Sequence, residues 1–184
     1  MLERLLALLI LIALCPLFFI VTLLILINDG LPVFFTQKRV GKDYSFFMLY
    51  KFRSMKKHSP NVATHLLEKP EQYVLKFGHT LRNLSIDELP NLIHILKGEM
   101  GFVGPRPALF NQYDLIKLRS NAGISHLKPG LTGWAQINGR DEISIEEKVS
   151  LEKEYLHRRS FVFDMKIFLR TFISLFLTKE GVSL

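Results

Sequence analysis

Two adjacent carboxylates, Asp87 and Glu88, lie between Arg82 and Pro90 and are the residues best suited to chemistry. Neighbouring side chains on a helix do not share a face, so these two acids are expected to do different jobs. Ser85, three positions before Glu88, matches a capping box, which is a purely structural explanation for Glu88. A helix capped by Ser85 would place Pro90 in its interior, where the missing N–H and the ring are costly. We therefore expect an irregular acidic turn, with the regular helix starting near Pro90.

Arg106 is a second candidate because it lies between Pro105 and Pro107. A residue before a proline is driven to extended backbone, which lowers the cost of ordering its side chain. A guanidinium group matches phosphate oxygens with paired hydrogen bonds. From this tripeptide alone, a rigid loop with a solvated arginine is the better explanation.

Further cations accompany loops punctuated by glycine. Lys51 and Arg53 lie in the segment Tyr50–Met55, and Arg140 ends a loop that starts at Lys128. For each of these three cations, a solvated surface side chain is at least as good an explanation. Two carboxylates, several cations and conformationally fixed loops together suit chemistry on a metal-bound diphosphate.

In combination these residues resemble one family, the bacterial sugar transferases, and within it the small monotopic phosphoglycosyl transferases. The matching segments occur in the family's order from about residue 35 onward: Lys51-Phe-Arg-Ser-Met55, Arg82 to Pro90, Leu96-Lys-Gly-Glu-Met100, Val103-Gly-Pro-Arg-Pro107 and Pro129 to Arg140. The resemblance implies transfer of a sugar 1-phosphate from a nucleoside-diphosphate sugar, expected to be a UDP-sugar, to a polyprenyl phosphate, expected to be undecaprenyl phosphate. The nucleoside monophosphate would be released, in the first step of a glycoconjugate pathway.

The same resemblance assigns roles to the site residues. It implies that Asp87 attacks the phosphorus attached to the sugar and forms a covalent aspartyl phosphosugar intermediate. It also implies a Mg²⁺ ion at Asp87 and Glu88, with Glu88 handling the metal or protons. Arg82 and Arg106 would hold phosphate or carboxylate groups. More distant candidates for the same role are Lys51, Arg53 and Arg140.

Two other functions remain open. A glycosyltransferase that moves only the sugar would release a nucleoside diphosphate instead of a monophosphate. A non-catalytic membrane-surface module would use the basic charge and the apolar ends to hold anionic lipid, but it does not explain an acidic pair beside a proline-flanked arginine. Nucleic-acid binding is not indicated, since no basic stripe interleaved with aromatic residues is present.

Composition points to one domain with anionic partners. The 184 residues suffice for a real core, and the net charge of +7 favours lipid headgroups or diphosphates. The hydrophobic fraction of 48% is high and is concentrated at the N-terminus. Cys15 is the single cysteine, so no intrachain disulfide can form and a cytosol-facing protein is expected.

The segment Leu5 to Ile27 carries no charge and is long enough to cross a bilayer. Cys15 and Pro16 lie at its middle, which allows either a kinked spanning helix or a re-entrant helix–break–helix. Each re-entrant arm of about 11 residues would rise roughly 17 Å, about one leaflet. The resemblance favours the re-entrant form, with residues 1–30 as the membrane segment and residues 31–184 as a membrane-associated catalytic domain; Cys15 replaces a serine that family members carry.

The basic residues that follow this segment place the domain on the cytoplasmic face of the bacterial inner membrane by the positive-inside rule. They are Lys38, Arg39, Lys42, Lys51, Arg53, Lys56 and Lys57.

The remaining pattern predicts a mainly helical α+β fold. Val33 to Gln37 and Phe46 to Phe52 read as strands of a small β-hairpin turning near Gly41. Helical spacing is found in Asn61 to Leu84 with an interruption at Pro70, in Phe110 to Arg119, in Ile145 to Arg158 and in Phe161 to Leu177. The last helix is apolar but interrupted by charges, so we expect an amphipathic helix at the membrane interface, with an ordinary core helix as the alternative. His94, on an apolar helical run, is expected to be packed.

Overall fold

The computed structural model describes residues 1–59, 70–139 and 143–177 as a mainly helical α+β fold. The helices are α1 Leu2–Ala13, α2 Cys15–Asp29, α3 Gly78–Asn83, α4 Leu92–Lys97, α5 Tyr113–Asn121, α6 Trp134–Asn138, α7 Ile145–Arg158 and α8 Phe161–Leu177. The strands are β1 Phe34–Val40, β2 Phe46–Phe52, β3 Gly101–Val103 and β4 Gly130–Thr132. Short 3-10 helices are Lys42–Tyr44, Pro70–Tyr73, Ile86–Asn91 and Ile124–His126.

The N-terminal apolar segment forms two helices that meet at Leu14 with a bend of 58°. Pro16 lies in the first turn of α2, where a missing backbone N–H is tolerated, so the break falls where the proline predicts it. Within the described ranges, no single helix has the length and hydrophobicity to cross a bilayer. Helices α1 and α2 meet these two criteria only when taken together as a bent pair. Whether the pair re-enters or spans stays a prediction.

The predicted β-hairpin is confirmed, but its first strand continues to Val40 instead of ending at Gln37, because Lys38 to Val40 also pair with β2. Strands β1 and β2 pair antiparallel, from Phe34 opposite Phe52 to Val40 opposite Phe46. The turn between them contains Asp43 and Tyr44, whose φ angles of 51° and 62° lie in the left-handed region. This turn is therefore held in a conformation that residues with a side chain rarely adopt.

A second, parallel pair of strands joins the segment Val103 to Pro107 to the loop that begins at Pro129. In β3 and β4, Gly101 lies opposite Gly130 and Val103 lies opposite Thr132. Beyond β3, a Cβ atom on Gly104 would lie 2.4 Å from the carbonyl oxygen of Lys128, so only glycine allows the backbones this close. The pairing fixes the loop that carries Arg106 against the loop that precedes β4.

Among the described residues, three clusters of buried apolar side chains form the core. One joins α5, α7 and α8 through residues such as Leu115, Tyr155 and Ile167. A second places Ala7 of α1 against α4, β2 and β3, and a third places Val21 and Ile25 of α2 against β2 and α3. Burial of apolar area in the second and third clusters therefore binds the N-terminal helix pair to the rest of the chain.

The helix pair also leaves many large apolar side chains exposed on its other faces. They are Leu2, Leu5, Leu6, Leu8, Leu9, Ile12, Phe19, Ile20, Leu23, Leu24, Leu26 and Ile27.

Helix α8 has one buried face and one exposed apolar face. Phe163 and Ile167 enter the core, and Asp164 accepts a hydrogen bond of 2.8 Å from the Tyr155 hydroxyl of α7. This contact explains why an acid interrupts an apolar helix. The exposed apolar side chains of α8 are Phe161, Val162, Met165, Leu169, Phe172 and Ile173. The helix combines the two sequence interpretations, a core helix on one side and an amphipathic surface on the other.

Trp134 lies at the junction of α6, α7 and α8. Its ring centroid is 4.9 Å from that of Phe163, and its indole N–H donates to Glu154 at 2.9 Å. The guanidinium groups of Arg158 and Arg170 lie 5.8 and 5.7 Å from its ring. The tryptophan therefore links three helices through stacking, a hydrogen bond and cation–π contacts.

The predicted bounds of α7 and α8 are confirmed, whereas other helical predictions need correction. The helix predicted from Phe110 begins at Tyr113, because the preceding residues form a turn in which Gln112 accepts a hydrogen bond from the Leu109 amide. The helix predicted over Asn61 to Leu84 is reduced to α3 in its described part, and residues 61–69 lie outside the described residues.

Candidate active site

The acidic turn is irregular, as expected. Asp87 and Glu88 lie in the 3-10 helix Ile86–Asn91, and α4 begins only at Leu92. The capping-box interpretation is wrong, since the Ser85 side chain makes no capping hydrogen bond. The reason lies in the backbone: Ser85 has a φ of 52°, whereas an N-cap residue typically needs extended backbone. The Glu88 carboxylate is thus available for another role.

That role is an ion pair with two cations from distant segments. Lys51 Nζ on β2 donates to Glu88 Oε1 at 2.6 Å, and Arg106 Nη2 donates to the same oxygen at 3.0 Å. Burial by itself would raise the pKa of Glu88, but the charges of Arg106 and Lys51 outweigh it and hold the pKa well below its usual range. Glu88 is therefore a permanent anion that ties β2 to the loop after β3.

Asp87 has a different environment on the same turn. Its side chain is buried, and no hydrogen bond to its carboxylate is found within the described ranges. Burial raises the pKa of Asp87 to about 6; Lys51 lowers it and the Glu88 charge raises it. The two acids therefore differ in their surroundings: Glu88 is ion-paired, whereas Asp87 is buried and forms no ion pair within the described residues, and their different jobs stay a prediction.

Arg82 completes the charged surroundings of Asp87. It lies on α3, and its Nε donates to the Ser54 hydroxyl at 2.9 Å. Burial lowers the pKa of Arg82, and the Asp87 charge acts in the opposite direction. The structure thus brings together three of the predicted cations, Lys51, Arg82 and Arg106, around the acidic turn.

The other predicted cations do not join this group. Arg53 is buried at the end of α2, where it binds the Asp29 carboxylate and donates to the carbonyl oxygens of Gly30 and Pro32 at 2.6 and 2.7 Å. These contacts fix the exit of α2 against β2. Arg140 lies outside the described residues. Cys15 and Pro16 form the first turn of α2, at the helix break.

His94 is packed, as its place in the sequence predicts. Its side chain is only 1% exposed and contacts Glu99 Oε2 through Nδ1 at 2.6 Å. The imidazole stacks on Tyr50 with ring centroids 5.1 Å apart and touches Phe47 at 5.0 Å. It therefore belongs to the support of α4 rather than to the charged group.

A cleft of about 260 Å³ contains Lys51, Glu88 and Arg106, and adds two residues that the sequence did not single out. Arg39 on β1 donates through Nη1 to the Pro107 carbonyl oxygen at 2.9 Å, which ties the hairpin to the Arg106 loop. Asn91 is 2% exposed, and its Oδ1 has no hydrogen-bond partner among the described residues. The cleft is referred to below as the catalytic cleft.

Neither Arg39 nor Asn91 carried a usable signal in the sequence. Asn91 ends a 3-10 helix, in which residues four apart do not share a face, and the contact of Arg39 is made far along the chain.

The acidic turn fits the way proteins hold Mg²⁺. The described residues contain no group of three or more His, Cys, Asp or Glu side chains able to hold a metal together. Mg²⁺ is usually held by only one or two carboxylates, with waters and substrate phosphates as its other ligands. Asp87 and Glu88 would supply those carboxylates, because both cations that contact Glu88 bind its oxygen Oε1 and leave the other oxygen for a metal. The donor set therefore suits an ion that arrives with a diphosphate.

Comparison with known proteins gives a consistent family. The model of the bacterial sugar transferase family matches residues 1–178. The uncharacterized sugar transferase EpsL of Bacillus subtilis is 43% identical over 153 residues, covering 83% of this chain and 74% of that protein. The UDP-glucose:undecaprenyl-phosphate glucose-1-phosphate transferase of Escherichia coli is 37% identical over 186 residues, covering 97% of this chain but 40% of that protein.

A third relative has another sugar in its name. The UDP-N-acetylgalactosamine-undecaprenyl-phosphate N-acetylgalactosaminephosphotransferase of Aeromonas hydrophila is 34% identical over 151 residues, covering 79% of this chain and 35% of that protein.

Proposed function

The chain belongs to the bacterial sugar transferase family, and on this premise we propose that it transfers a sugar 1-phosphate from a nucleoside-diphosphate sugar to a polyprenyl phosphate. The nucleoside monophosphate is released. The names of the Escherichia coli and Aeromonas hydrophila relatives support a UDP-sugar as donor and undecaprenyl phosphate as acceptor. The product then serves as the starting lipid of a glycoconjugate.

The observation that carries this proposal is the contrast between the two acids. A nucleophile needs a free lone pair on the attacking oxygen, and Asp87 is a buried carboxylate without a hydrogen bond from the described residues. Glu88 beside it is held by Lys51 and Arg106. The side chain of Arg106 is still 35% exposed, so its guanidinium group can also meet a phosphate that enters the catalytic cleft.

The reaction proceeds in two displacements at one phosphorus. An oxygen of Asp87 attacks the phosphorus that carries the sugar, the bond from that phosphorus to the nucleoside phosphate breaks, and the nucleoside monophosphate leaves with the electron pair. An oxygen of the polyprenyl phosphate then attacks the same phosphorus and releases the Asp87 carboxylate. Arg82 and Arg106 hold phosphate oxygens during both steps.

A Mg²⁺ ion held by Asp87 and Glu88 would neutralise diphosphate oxygens and so reduce their repulsion of an attacking carboxylate. Lys51 and Arg106 keep Glu88 ionised and fixed in place for this role.

The exposed apolar surfaces of the helix pair and of α8 support a membrane location for the enzyme. The bent pair of α1 and α2 enters and leaves the inner leaflet on the cytoplasmic side of a bacterial inner membrane. Helix α8 lies in the interface: Met165, Leu169 and Phe172 share one exposed face, at spacings of four and three residues, beside the exposed cations Lys166 and Arg170. The acceptor lipid then reaches the site by lateral diffusion.

Trapping of the intermediate tests the reaction. The purified chain is incubated with radiolabelled UDP-glucose or UDP-N-acetylgalactosamine and Mg²⁺, without acceptor lipid. A sugar phosphate should map by mass spectrometry to the peptide that contains Asp87, and uridine monophosphate should be released. Asp87→Asn should abolish the adduct because the charge is lost, whereas Glu88→Gln should slow its formation.

Addition of undecaprenyl phosphate should discharge the adduct. Release of a nucleoside diphosphate without any adduct would show a transferase that moves only the sugar.

A further inference from the structure

A second cleft lies beside the catalytic cleft and shares part of its wall. It is open to solvent, and its volume of about 390 Å³ includes part of that open space. Arg106 and Pro107 line both clefts. A ligand whose phosphates lie at Arg106 can therefore extend into either one.

We propose that this second cleft holds the nucleoside of the donor, with the base stacked on Tyr44; the inference rests on the proposed function. The phosphorus that bears the sugar must reach Asp87 in the acidic turn beside the catalytic cleft. The nucleoside is attached at the opposite end of the diphosphate. The second cleft is the adjoining space that the opposite end can enter from Arg106.

The charge distribution of the second cleft suits a neutral group that follows a phosphate. Its floor is apolar, with Val40, Ile116 and Ile124 among the lining residues. The other arginine in its wall, Arg119, is already paired: its Nε donates to Glu152 at 2.7 Å, and a second guanidinium nitrogen binds the other carboxylate oxygen. Arg106 is also paired, with Glu88, but its side chain is 35% exposed against 10% for Arg119, so a phosphate reaches the Arg106 end first.

Tyr44 supplies an aromatic surface at this cleft. Its side chain is 44% exposed, and it follows Asp43 in the left-handed backbone of the hairpin turn. Backbone strain of this kind concentrates at ligand sites. Asp43 Oδ1 contacts His126 Nδ1 at 2.6 Å, which ties the turn to the 3-10 helix Ile124–His126. Hydrogen bonding to Ser120 and Ser125 lowers the pKa of the Tyr44 hydroxyl. These contacts restrain the turn, which reduces the entropy lost on binding.

The test distinguishes binding of the base from binding of the phosphate. Uridine monophosphate and ribose 5-phosphate are compared as inhibitors of the full chain in detergent, in parallel with the KM for the donor. Stacking on an aromatic side chain contributes roughly 1–3 kcal/mol per base, so Tyr44→Ala should raise the donor KM and the inhibition constant of uridine monophosphate roughly tenfold. Inhibition by ribose 5-phosphate and the KM for undecaprenyl phosphate should not change.

Three further variants make the result specific. Tyr44→Phe keeps the aromatic face and should bind close to wild type. Ser125→Phe places a bulky side chain in the second cleft and should weaken uridine monophosphate as Tyr44→Ala does. Tyr113→Ala is the matched control, because Tyr113 is an exposed tyrosine that does not line the cleft, and it should leave every constant unchanged.

A crosslink gives a readout that does not depend on turnover or on a folded variant. Irradiation of the wild-type chain with 5-azido-uridine monophosphate should label peptides that contain residues 40–44 or 116–129. Labels elsewhere, or unchanged inhibition by uridine monophosphate in both Tyr44→Ala and Ser125→Phe, would overturn the inference and leave the proposed function standing. A wild-type chain that forms no nucleoside monophosphate from any donor would overturn both.

Discussion

Lys51 and Arg106 both donate hydrogen bonds to one oxygen of Glu88. The lengths of these bonds and the exposure of the two cations indicate different roles for them. Lys51 makes the shorter contact, 2.6 Å against 3.0 Å, and only 19% of its side chain is exposed. Arg106 has the more exposed side chain, so it is the cation that a phosphate reaches first. The residue-scale hypothesis is that Lys51 anchors Glu88, whereas Arg106 exchanges between Glu88 and substrate.

Arg106→Lys should therefore lower kcat/KM roughly 100-fold, although the charge is retained. A lysine presents one ammonium group and cannot donate in parallel to Glu88 and to a phosphate. Steady-state rates of nucleoside monophosphate release measure the effect. Arg158→Lys is the control, since Arg158 pairs with Glu154 away from the acidic turn. Near-normal kinetics of Arg106→Lys would refute the phosphate role of this residue.

Lys51→Met should destabilise the chain by about 1–3 kcal/mol, because it removes a charged hydrogen-bond donor from a mostly buried carboxylate. Glu88→Gln should reduce that cost, so the double variant should lose less stability than the sum of the two single variants. Chemical denaturation of all four proteins gives the coupling. Strict additivity would mean that the contact contributes nothing to folding.

The sequence predicted the irregular acidic turn and the packed His94, but not the partners of Glu88. A proline in the first turns of a helix is a local signal, readable without knowledge of the fold. The pairing of Glu88 with Lys51 depends on where β2 lies relative to that turn, which spacing does not reveal. The capping-box interpretation failed because Ser85 has a left-handed backbone, which its spacing to Glu88 does not reveal.

At the scale of elements, local signals decide which predictions hold. The bounds of α7 were predictable because Ser144 accepts a capping hydrogen bond from the Glu147 amide. The hairpin was predictable from two strand-like runs on either side of Gly41. The bridge from Arg39 to Pro107 had no local signal, although it connects the hairpin to the loop of Arg106.

Pro16 controls the form of the N-terminal helix pair. Pro16→Ala supplies the missing N–H, and we expect α1 and α2 to merge into one straighter helix that spans the bilayer. The measurement is labelling of Leu2→Cys in cells, in a Cys15→Ser background, with a reagent that cannot cross the membrane. Labelling from the periplasmic side should occur only with Pro16→Ala. Periplasmic labelling with Pro16 present would show that the natural segment spans.

At the scale of the whole molecule, the helical layers depend on buried polar links as well as apolar packing. Arg119 of α5 and Glu152 of α7 form a two-point ion pair between side chains that are only 10% and 3% exposed. A buried ion pair of this kind adds little net stability, but replacing only one of its residues is strongly destabilising because the other charge stays buried without a partner. The fold class was predictable from periodicity, but the pair was not, because α5 and α7 meet only in three dimensions.

Arg119→Met should cost about 3–5 kcal/mol of folding free energy by leaving the Glu152 charge buried and unpaired. The double variant Arg119→Met with Glu152→Met should recover most of that loss. Thermal unfolding followed by circular dichroism compares the three proteins. A double variant as unstable as the single one would show that packing around the guanidinium stem, not its charge, is what α5 and α7 require.

The position of Trp134 gives the enzyme a built-in fluorophore. It is the only tryptophan in the chain, so its emission comes from one place, the junction of α6, α7 and α8. Detachment of α8 would remove Phe163 from the indole and admit water, which shifts the emission to longer wavelength. Fluorescence therefore reports the docking of α8 by itself, while circular dichroism follows all helices together. Comparison of the two signals in detergent and in lipid would show whether the bilayer tightens or loosens this junction.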